Sequence, residues 1–235
     1  ASSTGGTAGS QYISGVFGKF KMGDLDGADK DSTGNIAGVG LTGLSDTNNV
    51  TYQSAAHNFG YEYTTAGITL GYSQDTAVKS GSNSAMGLKW TGDLGGTSVT
   101  VGVGQSKVGV KTQDTVSVSM STAGLTLKAI SSTNDNGPAV ALVTKARATA
   151  AGTADVFGSA KVNNYETDTT GVSISYSMDA MSVTAFTKSV STSGVKDMDY
   201  SGLGFSYDMG GVSLKAGVVD NNDIQLMDFG VSFSF

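Results

Sequence analysis

The stretch Leu226-Met227-Asp228-Phe229-Gly230-Val231-Ser232-Phe233-Ser234-Phe235 decides how this chain is read. Side chains of a strand point alternately to its two faces, so Phe229, Val231, Phe233 and Phe235 share one face, and Asp228, Gly230, Ser232 and Ser234 share the other. One face is aromatic and apolar, the other small and polar. A soluble core seldom sets its last large apolar residue at a terminus that frays, whereas a strand whose outer face meets lipid has no such difficulty. The stretch therefore predicts a strand of a transmembrane β-barrel.

Composition agrees with that reading. Gly supplies 34 of 235 residues, with one Pro and no Cys, against a usual glycine share of about 7%. Without a three-residue period or abundant Pro, this is neither collagen nor a proline-rich linker. The hydrophobic fraction is 38% and the charged fraction 14%, both low for a soluble packed domain. A net charge of only -6, with many Val and Thr, argues against disorder. The acidic balance also argues against nucleic acid as a partner, which calls for basic patches. No apolar run reaches the length of about 18 residues that a membrane helix needs. A barrel needs only alternating segments of about ten residues, because its backbone groups are satisfied between strands. The sequence opens at Ala1 without a basic and then apolar leader, so any secretory signal is expected to lie outside it. Lack of Cys decides little about compartment.

Along the chain the alternation repeats. Gln11 to Ser14 and Lys19 to Gly23 read as short strands, with Lys19 and Lys21 on one face and Phe20 and Met22 on the other. Residues 24–48 lack alternation and carry Asp24, Asp26, Asp29, Lys30, Asp31 and Asp46 among glycines. Long loops of this kind are commonly functional. Beyond them, Phe59, Tyr61 and Tyr63, then Ile68, Leu70 and Tyr72, begin a series of alternating strands separated by tight turns near 66, 94, 123, 151, 179 and 210. The turns recur about every 28 to 31 residues, with longer polar connections between them, as in an up-and-down barrel with short periplasmic turns. Tyr61, Tyr63, Tyr72, Trp90, Tyr176 and Tyr207 fall near strand ends, where girdle aromatics sit.

The ending Phe-Gly-Val-Ser-Phe-Ser-Phe, the Tyr-Asp-Met-Gly-Gly-Val-Ser-Leu hairpin before it, and Gly-Lys-Phe-Lys-Met-Gly-Asp leading into the acidic loop resemble the trimeric general porins of Gram-negative bacteria, most closely the alphaproteobacterial type. The resemblance implies a single 1–235 outer-membrane barrel domain of about 16 strands (14 to 18), with residues 24–48 as a constriction loop folded into the pore. It also implies a homotrimer in outer-membrane lipid and lipopolysaccharide, and Phe235 as a signal to the barrel-assembly machinery. The strands counted directly come to about fifteen, and simple bacterial barrels have an even number, so N-terminal strands are expected to be missing from this sequence. Arg147 is the only Arg, so a basic wall must be built from lysine.

The lipid-facing phase places Lys19, Lys21, Glu62, Lys89, Lys128, Lys145, Arg147 and Lys215 toward the lumen. Charges on a lipid face near the midplane would cost about 2 to 4 kcal/mol. Asp24, Asp26, Asp29 and Asp31 are then expected to face those lysines across an eyelet. One pair 10 Å apart in water is worth only about 0.4 kcal/mol, but several set up a transverse field that biases ion choice. Solvated acids at a loop mouth are the plainer reading. Asp24, Asp26 and Asp29 resemble a calcium loop only faintly, since the alternating Asp spacing and closing Glu are absent. His57, the only His, reads as a polar rim residue, and no catalytic constellation is visible. The expected function is passive diffusion of small hydrophilic solutes and ions, without enzyme activity or cofactor. A substrate-specific porin and a surface β-protein or adhesin are the alternatives.

Overall fold

The computed structural model describes residues 9–53, 57–77, 83–139 and 163–234. The described residues form one antiparallel sheet of thirteen strands, each hydrogen-bonded to its neighbours in chain order. They are β1 (Ser10–Gly15), β2 (Gly18–Leu25), β3 (His57–Thr65), β4 (Ile68–Gln74), β5 (Asn83–Leu94), β6 (Thr97–Val108), β7 (Lys111–Thr122), β8 (Leu125–Ala139), β9 (Asn163–Met178), β10 (Met181–Thr192), β11 (Met198–Asp208), β12 (Val212–Asn221) and β13 (Ile224–Phe233). A short helix, α1 (Ala28–Thr33), and a single 3-10 turn, Leu44–Asp46, interrupt the connection between β2 and β3. No described helix is long and apolar enough to cross a membrane, and one continuous sheet is not the two packed faces of a sandwich.

The alternation sets the register. Val99, Met120, Leu127, Ile174, Ala185, Leu203, Val218 and Met227 lie opposite one another in successive strands, forming an unbroken apolar row on the outer face. A one-residue slip in any strand would turn its apolar set inward, so the row fixes the pairing. Strands such as β5 and β6 have 12 residues, about 28 Å of rise at about 45° tilt, enough to cross an apolar band of about 25 Å. Tyr63, Tyr176 and Tyr207 sit within a few residues of the short-turn ends of β3, β9 and β11.

Tight turns join β3 to β4 and β7 to β8 through Ala66–Gly67 and Ala123–Gly124, with φ of 49° and 78°, and 44° and 80°. Such pairs of left-handed residues match the twist of the flanking strands, and glycine takes the second position without strain. Short connections are not confined to this end. Gly109–Val110 and Asn222–Asp223 close β6–β7 and β12–β13 at the opposite end with equal economy, where longer polar loops were expected.

The expected turn near 151 lies outside the described residues, and the two extra strands it implied have no place between β8 and β9. β8 pairs directly with β9 from Leu125↔Tyr176 to Ala139↔Asn163, and its other edge is taken by β7. A strand has two hydrogen-bonding edges, so nothing can enter between them. β8 and β9 are the longest strands, at 15 and 16 residues, which is why their joint span mimics two hairpins of the usual length.

The buried apolar cluster lies on the inner side of the sheet. Ile36, Val39, Leu44 and Val50 of the β2–β3 connection pack with Ile130, Phe186 and Val219, inner-face residues of β8, β10 and β12.

Candidate functional site: a loop laid across the inner wall

Just before the β2–β3 connection leaves the sheet, β2 bends at Gly23, where φ is 113°, and the register between β2 and β3 shifts between Met22 and Leu25. Such an extra-residue bulge bends a strand and re-aims the chain beyond it. The connection crosses the inner wall toward β13 and returns. Its path is prepared by glycine. Gly71, Gly87 and Gly104 stand opposite one another on β4, β5 and β6, directly beneath α1. A Cβ on Gly87 would collide with Ser32 Oγ and the Ala28 carbonyl, and one on Gly104 would come within 2.7 Å of Asp29 Cα. Across the lumen Gly204 and Gly217 are paired on β11 and β12, and a Cβ on them would stand 2.7 Å from Val39 Cβ and 2.6 Å from Gly40 Cα. The glycine abundance in the composition is in part this track for the loop.

α1 buries Ala28, Asp29, Ser32 and Thr33, the face formed by residues four apart, and leaves Asp31 exposed with Asp26 just ahead of the helix. Its ends are held by the wall. The Ala28 N–H donates to Ser73 Oγ at 2.7 Å, and Lys128 Nζ donates to the Thr33 carbonyl at 2.7 Å, a cation at the helix end where carbonyls lack partners. Further on, the Ala37 N–H donates to Ser173 Oγ at 3.0 Å. At the turning point Asp228 Oδ2 accepts the Thr42 N–H at 2.7 Å and the Thr42 hydroxyl at 2.8 Å. On the way back Lys188 Nζ donates to the Asn49 carbonyl at 2.9 Å. The Gln53 N–H then donates to Gln113 Oε1 at 2.6 Å. Tyr52 Oη donates to the Gly34 carbonyl at 2.6 Å, fastening the outward and returning halves together. Burial pushes the Tyr52 phenol up to about 12, with the Asp29 charge adding to the rise.

The charged residues anticipated from sequence take several different roles. Lys21 on β2 bridges loop and wall, with Nζ 3.0 Å from Asp31 Oδ2 and 2.9 Å from Glu62 Oε2. Lys89 shares a recess with this triad. Asp26 pairs with Lys30 at 2.8 Å, four residues on. Lys19 lies 4.4 Å from the ring centroid of Tyr12. Lys128 is one of the loop's anchors, and Lys215 lines a separate recess beneath Gly38–Gly40. Asp24 belongs to β2 and not to the loop. Asp29 is fully buried, against Gly104, and so does not face the lumen. The faint calcium set Asp24, Asp26 and Asp29 does not converge, and among the described residues no three His, Cys, Asp or Glu side chains gather as a metal would require. Lys145, Arg147 and Phe235 lie outside the described residues. His57 is not at a rim. It is buried, with Nδ1 2.7 Å from Ser73 Oγ and Nε2 2.8 Å from Asn83 Oδ1. Because Ser73 already accepts the Ala28 N–H, its proton is free for Nδ1, which leaves Nε2 as the protonated nitrogen facing Asn83.

Magnitudes show what holds the loop. Partly exposed ion pairs such as Lys21–Asp31 contribute about 0.2 to 1 kcal/mol, whereas each buried Ile, Val or Leu contributes about 1.5 to 3. Packing of Ile36, Val39, Leu44 and Val50 therefore outweighs the salt bridges, which are left to set the charge of the opening. The apolar wall residues have a sequence signal that the alternation hides. Ala129–Ile130, Ala185–Phe186 and Val218–Val219 are adjacent apolar pairs, and in an alternating strand the second member must point inward.

A sheet with an apolar outer face, a polar inner face and a long loop pinned across that inner face is the wall of a transmembrane β-barrel with a constricted bore. Comparison with known proteins agrees. No family model matches the chain. A porin of Rhodobacter capsulatus is 26% identical over 267 residues, spanning 98% of this chain and 82% of that protein. A porin structure refined at 1.8 Å superposes with a TM-score of 0.72 at 23% identity, covering 95% of this chain and 80% of the other. The loop-L8-deleted OmpT of Vibrio cholerae, an outer-membrane protein, gives 0.58 at 14% identity, with 92% and 76% covered. An anion-selective porin from Comamonas acidovorans gives 0.55 at 14% identity, with 90% and 66% covered. Over most of its length the chain is similar to bacterial outer-membrane porins and shares their barrel fold.

Proposed function

We infer that the protein is a passive, water-filled channel of the outer membrane, admitting small hydrophilic solutes and ions down their gradients. One observation carries this reading: the β2–β3 connection is seated on a glycine track and gripped from the wall at both ends of α1, at Thr42 and at Asn49. A loop so placed narrows a lumen without plugging it with a domain. On the β2–β5 side of the lumen Lys21, Glu62, Lys89, Asp26 and Asp31 gather around one recess, with Lys30 paired to Asp26. Asp24, Asp29 and Lys19 act at one remove, through the bend, the helix seat and Tyr12. The only His is spent on holding Ser73 and Asn83, so the reading involves neither catalysis nor a cofactor. The apolar outer face suits lipid, lipopolysaccharide and a homotrimer contact. Phe235, which in sequence continues the alternation of Phe229, Val231 and Phe233, suits recognition by the assembly machinery.

Single-channel recording of detergent-purified protein in planar bilayers tests the reading. Stable conductance steps closing in threes are expected. Folded, inserted protein that never conducts would refute it.

A further inference from the structure

We propose that the lumen favours anions, and that a recess under the loop, formed around Lys215, holds a small oxyanion or carboxylate in transit. The transport consequence rests on the channel reading; the binding site itself does not.

The recess has a volume of about 170 Å³ and lies between Gly38–Gly40 of the loop and the inner faces of β10, β11 and β12. Ser182, Ser206 and Lys215 lie opposite one another on those three strands, with Thr184 beside them. Ser182 and Ser206 are 2.9 Å apart, and Thr184 is 2.9 Å from Ser175. Two hydroxyls sharing one hydrogen bond use one of their two protons, so each pair keeps a donor to offer. An ammonium and spare O–H donors are what a phosphate or carboxylate oxygen accepts from, in charge-assisted bonds.

Nothing nearby cancels the lysine by direct contact. The two carboxylates next to it along the register, Asp208 and Asp228, are turned to other donors: Asp208 Oδ1 accepts the Gly210 N–H at 2.8 Å, and Asp228 accepts from Thr42. Among the described residues the ion pairs are Lys21 with Asp31 and Glu62, Lys30 with Asp26, and Lys196 with Asp223. Lys215 is in none of them. Two further lysines of this side of the lumen, Lys128 and Lys188, donate to neutral carbonyls, with the Tyr200 ring beside Lys188, and among the described residues neither forms an ion pair.

The net charge of -6 conceals this in part because several of the acids on this side point outward. Asp168, Asp199 and Asp220 stand opposite Ser191, Ser189 and Ser201, in the outward phase of β9, β11 and β12. With these acids outside, the β8–β12 side of the lumen sets Lys128, Lys188 and Lys215 against the inward Asp208 and Asp228, and a low-dielectric wall focuses the remaining positive field on passing ions.

The test is the reversal potential in a KCl gradient, with inorganic phosphate titrated onto the detergent-folded protein and followed by phosphorus NMR line width. Wild type should favour chloride, and Lys215→Gln should lower the anion-to-cation permeability ratio on the order of twofold or more, while Lys196→Gln should leave it unchanged. Phosphate lines should broaden with wild type and much less with Lys215→Gln or, as a second variant that keeps the charge, Ser206→Ala. Cation preference in wild type, or unchanged ratio and unchanged broadening in Lys215→Gln, would overturn the proposal. Phosphate broadening by a protein that inserts but never conducts would uphold the site and refute the channel.

Discussion

Lys188 on β10 reaches the carbonyl of Asn49, on the returning half of the loop, through a single hydrogen bond of 2.9 Å. The contact is typical of how wall and loop meet. Ser73, Ser173, Lys128 and Gln113 likewise bind loop N–H or carbonyl groups. A grip on backbone atoms, added to the packing of Ile36, Val39, Leu44 and Val50, holds the loop's course, so Asp26, Lys30 and Asp31 can set the charge of the opening without also having to fix its position.

Replacing Lys188 by Met removes that donor and the contact of Nζ with the Tyr200 ring, 4.3 Å away. A hydrogen bond from a charged group is worth about 1.5 to 3 kcal/mol, and the stranded Asn49 carbonyl adds a desolvation cost. The variant should still assemble, since the outer apolar rows are untouched. Its single-channel current should become noisier and its loop more open to protease than wild type, with the folded band in a heat-shift gel lost at lower temperature.

Gly87→Val tests the track. Its side chain would meet Ser32 and the Ala28 carbonyl, both fixed by α1. Overpacking of this kind costs about 1 to 3 kcal/mol, and the helix is the part that can give way. Unitary conductance should rise, because the loop lifts while the sheet persists. Gly109→Val, with nothing within 4 Å of its Cβ, supplies a comparison at a turn outside the track, where φ of 63° adds only local strain.

Lys21 is the sole ion-pair partner seen for both Asp31 and Glu62 among the described residues. Lys21→Met leaves two neighbouring carboxylates unbalanced, so permeability should shift toward cations. The shift should be larger at about 0.01 M salt, where the screening length is about 30 Å, than at 1 M, where it is about 3 Å. A reversal potential equal to wild type at low salt would show that ions do not pass this triad.

Much of this architecture is legible in the chain, and where the chain misleads the causes are physical. Alternation fixes which residues face outward, so the phase of Lys21, Glu62, Lys89, Lys128 and Lys215 is set by Phe20, Tyr61, Leu88, Leu127 and Leu214 beside them. The loop is visible as the place where alternation stops. Its contacts are not, because they join residues as far apart in sequence as Thr42 and Asp228, and a carboxylate that accepts a backbone N–H leaves no mark in composition. Lys188 and Asp228 give no sign of their roles for that reason. Asp29 reads as an eyelet acid because a six-residue helix is too short to show which of its sides faces the wall. Periodicity itself misleads near 151, where two unusually long strands imitate two hairpins.

Tyr52 gives the fold a limit at high pH. Its phenol is buried, donates to the Gly34 carbonyl and stays protonated up to about 12, whereas an unfolded tyrosine ionises near 10. Between those values the folded chain holds a proton that the unfolded chain has lost, so stability falls as pH rises. The contribution is complete below about pH 10 and gone above about 12, on the order of 2 to 3 kcal/mol. Lysines titrate in the same window, so the informative quantity is the difference from Tyr52→Phe. That variant should be less stable near neutral pH by about 1 kcal/mol, through the lost hydrogen bond. Its stability should then fall less steeply than that of wild type from pH 10 to 12 in heat-shift or tryptophan-fluorescence unfolding. Parallel curves for the two proteins would mean that the phenol is already ionised or solvated in the folded channel, and that the two halves of the loop are held by the apolar cluster and by the bonds of Asn48 to the Ile36 carbonyl and of the Val50 N–H to Asn35.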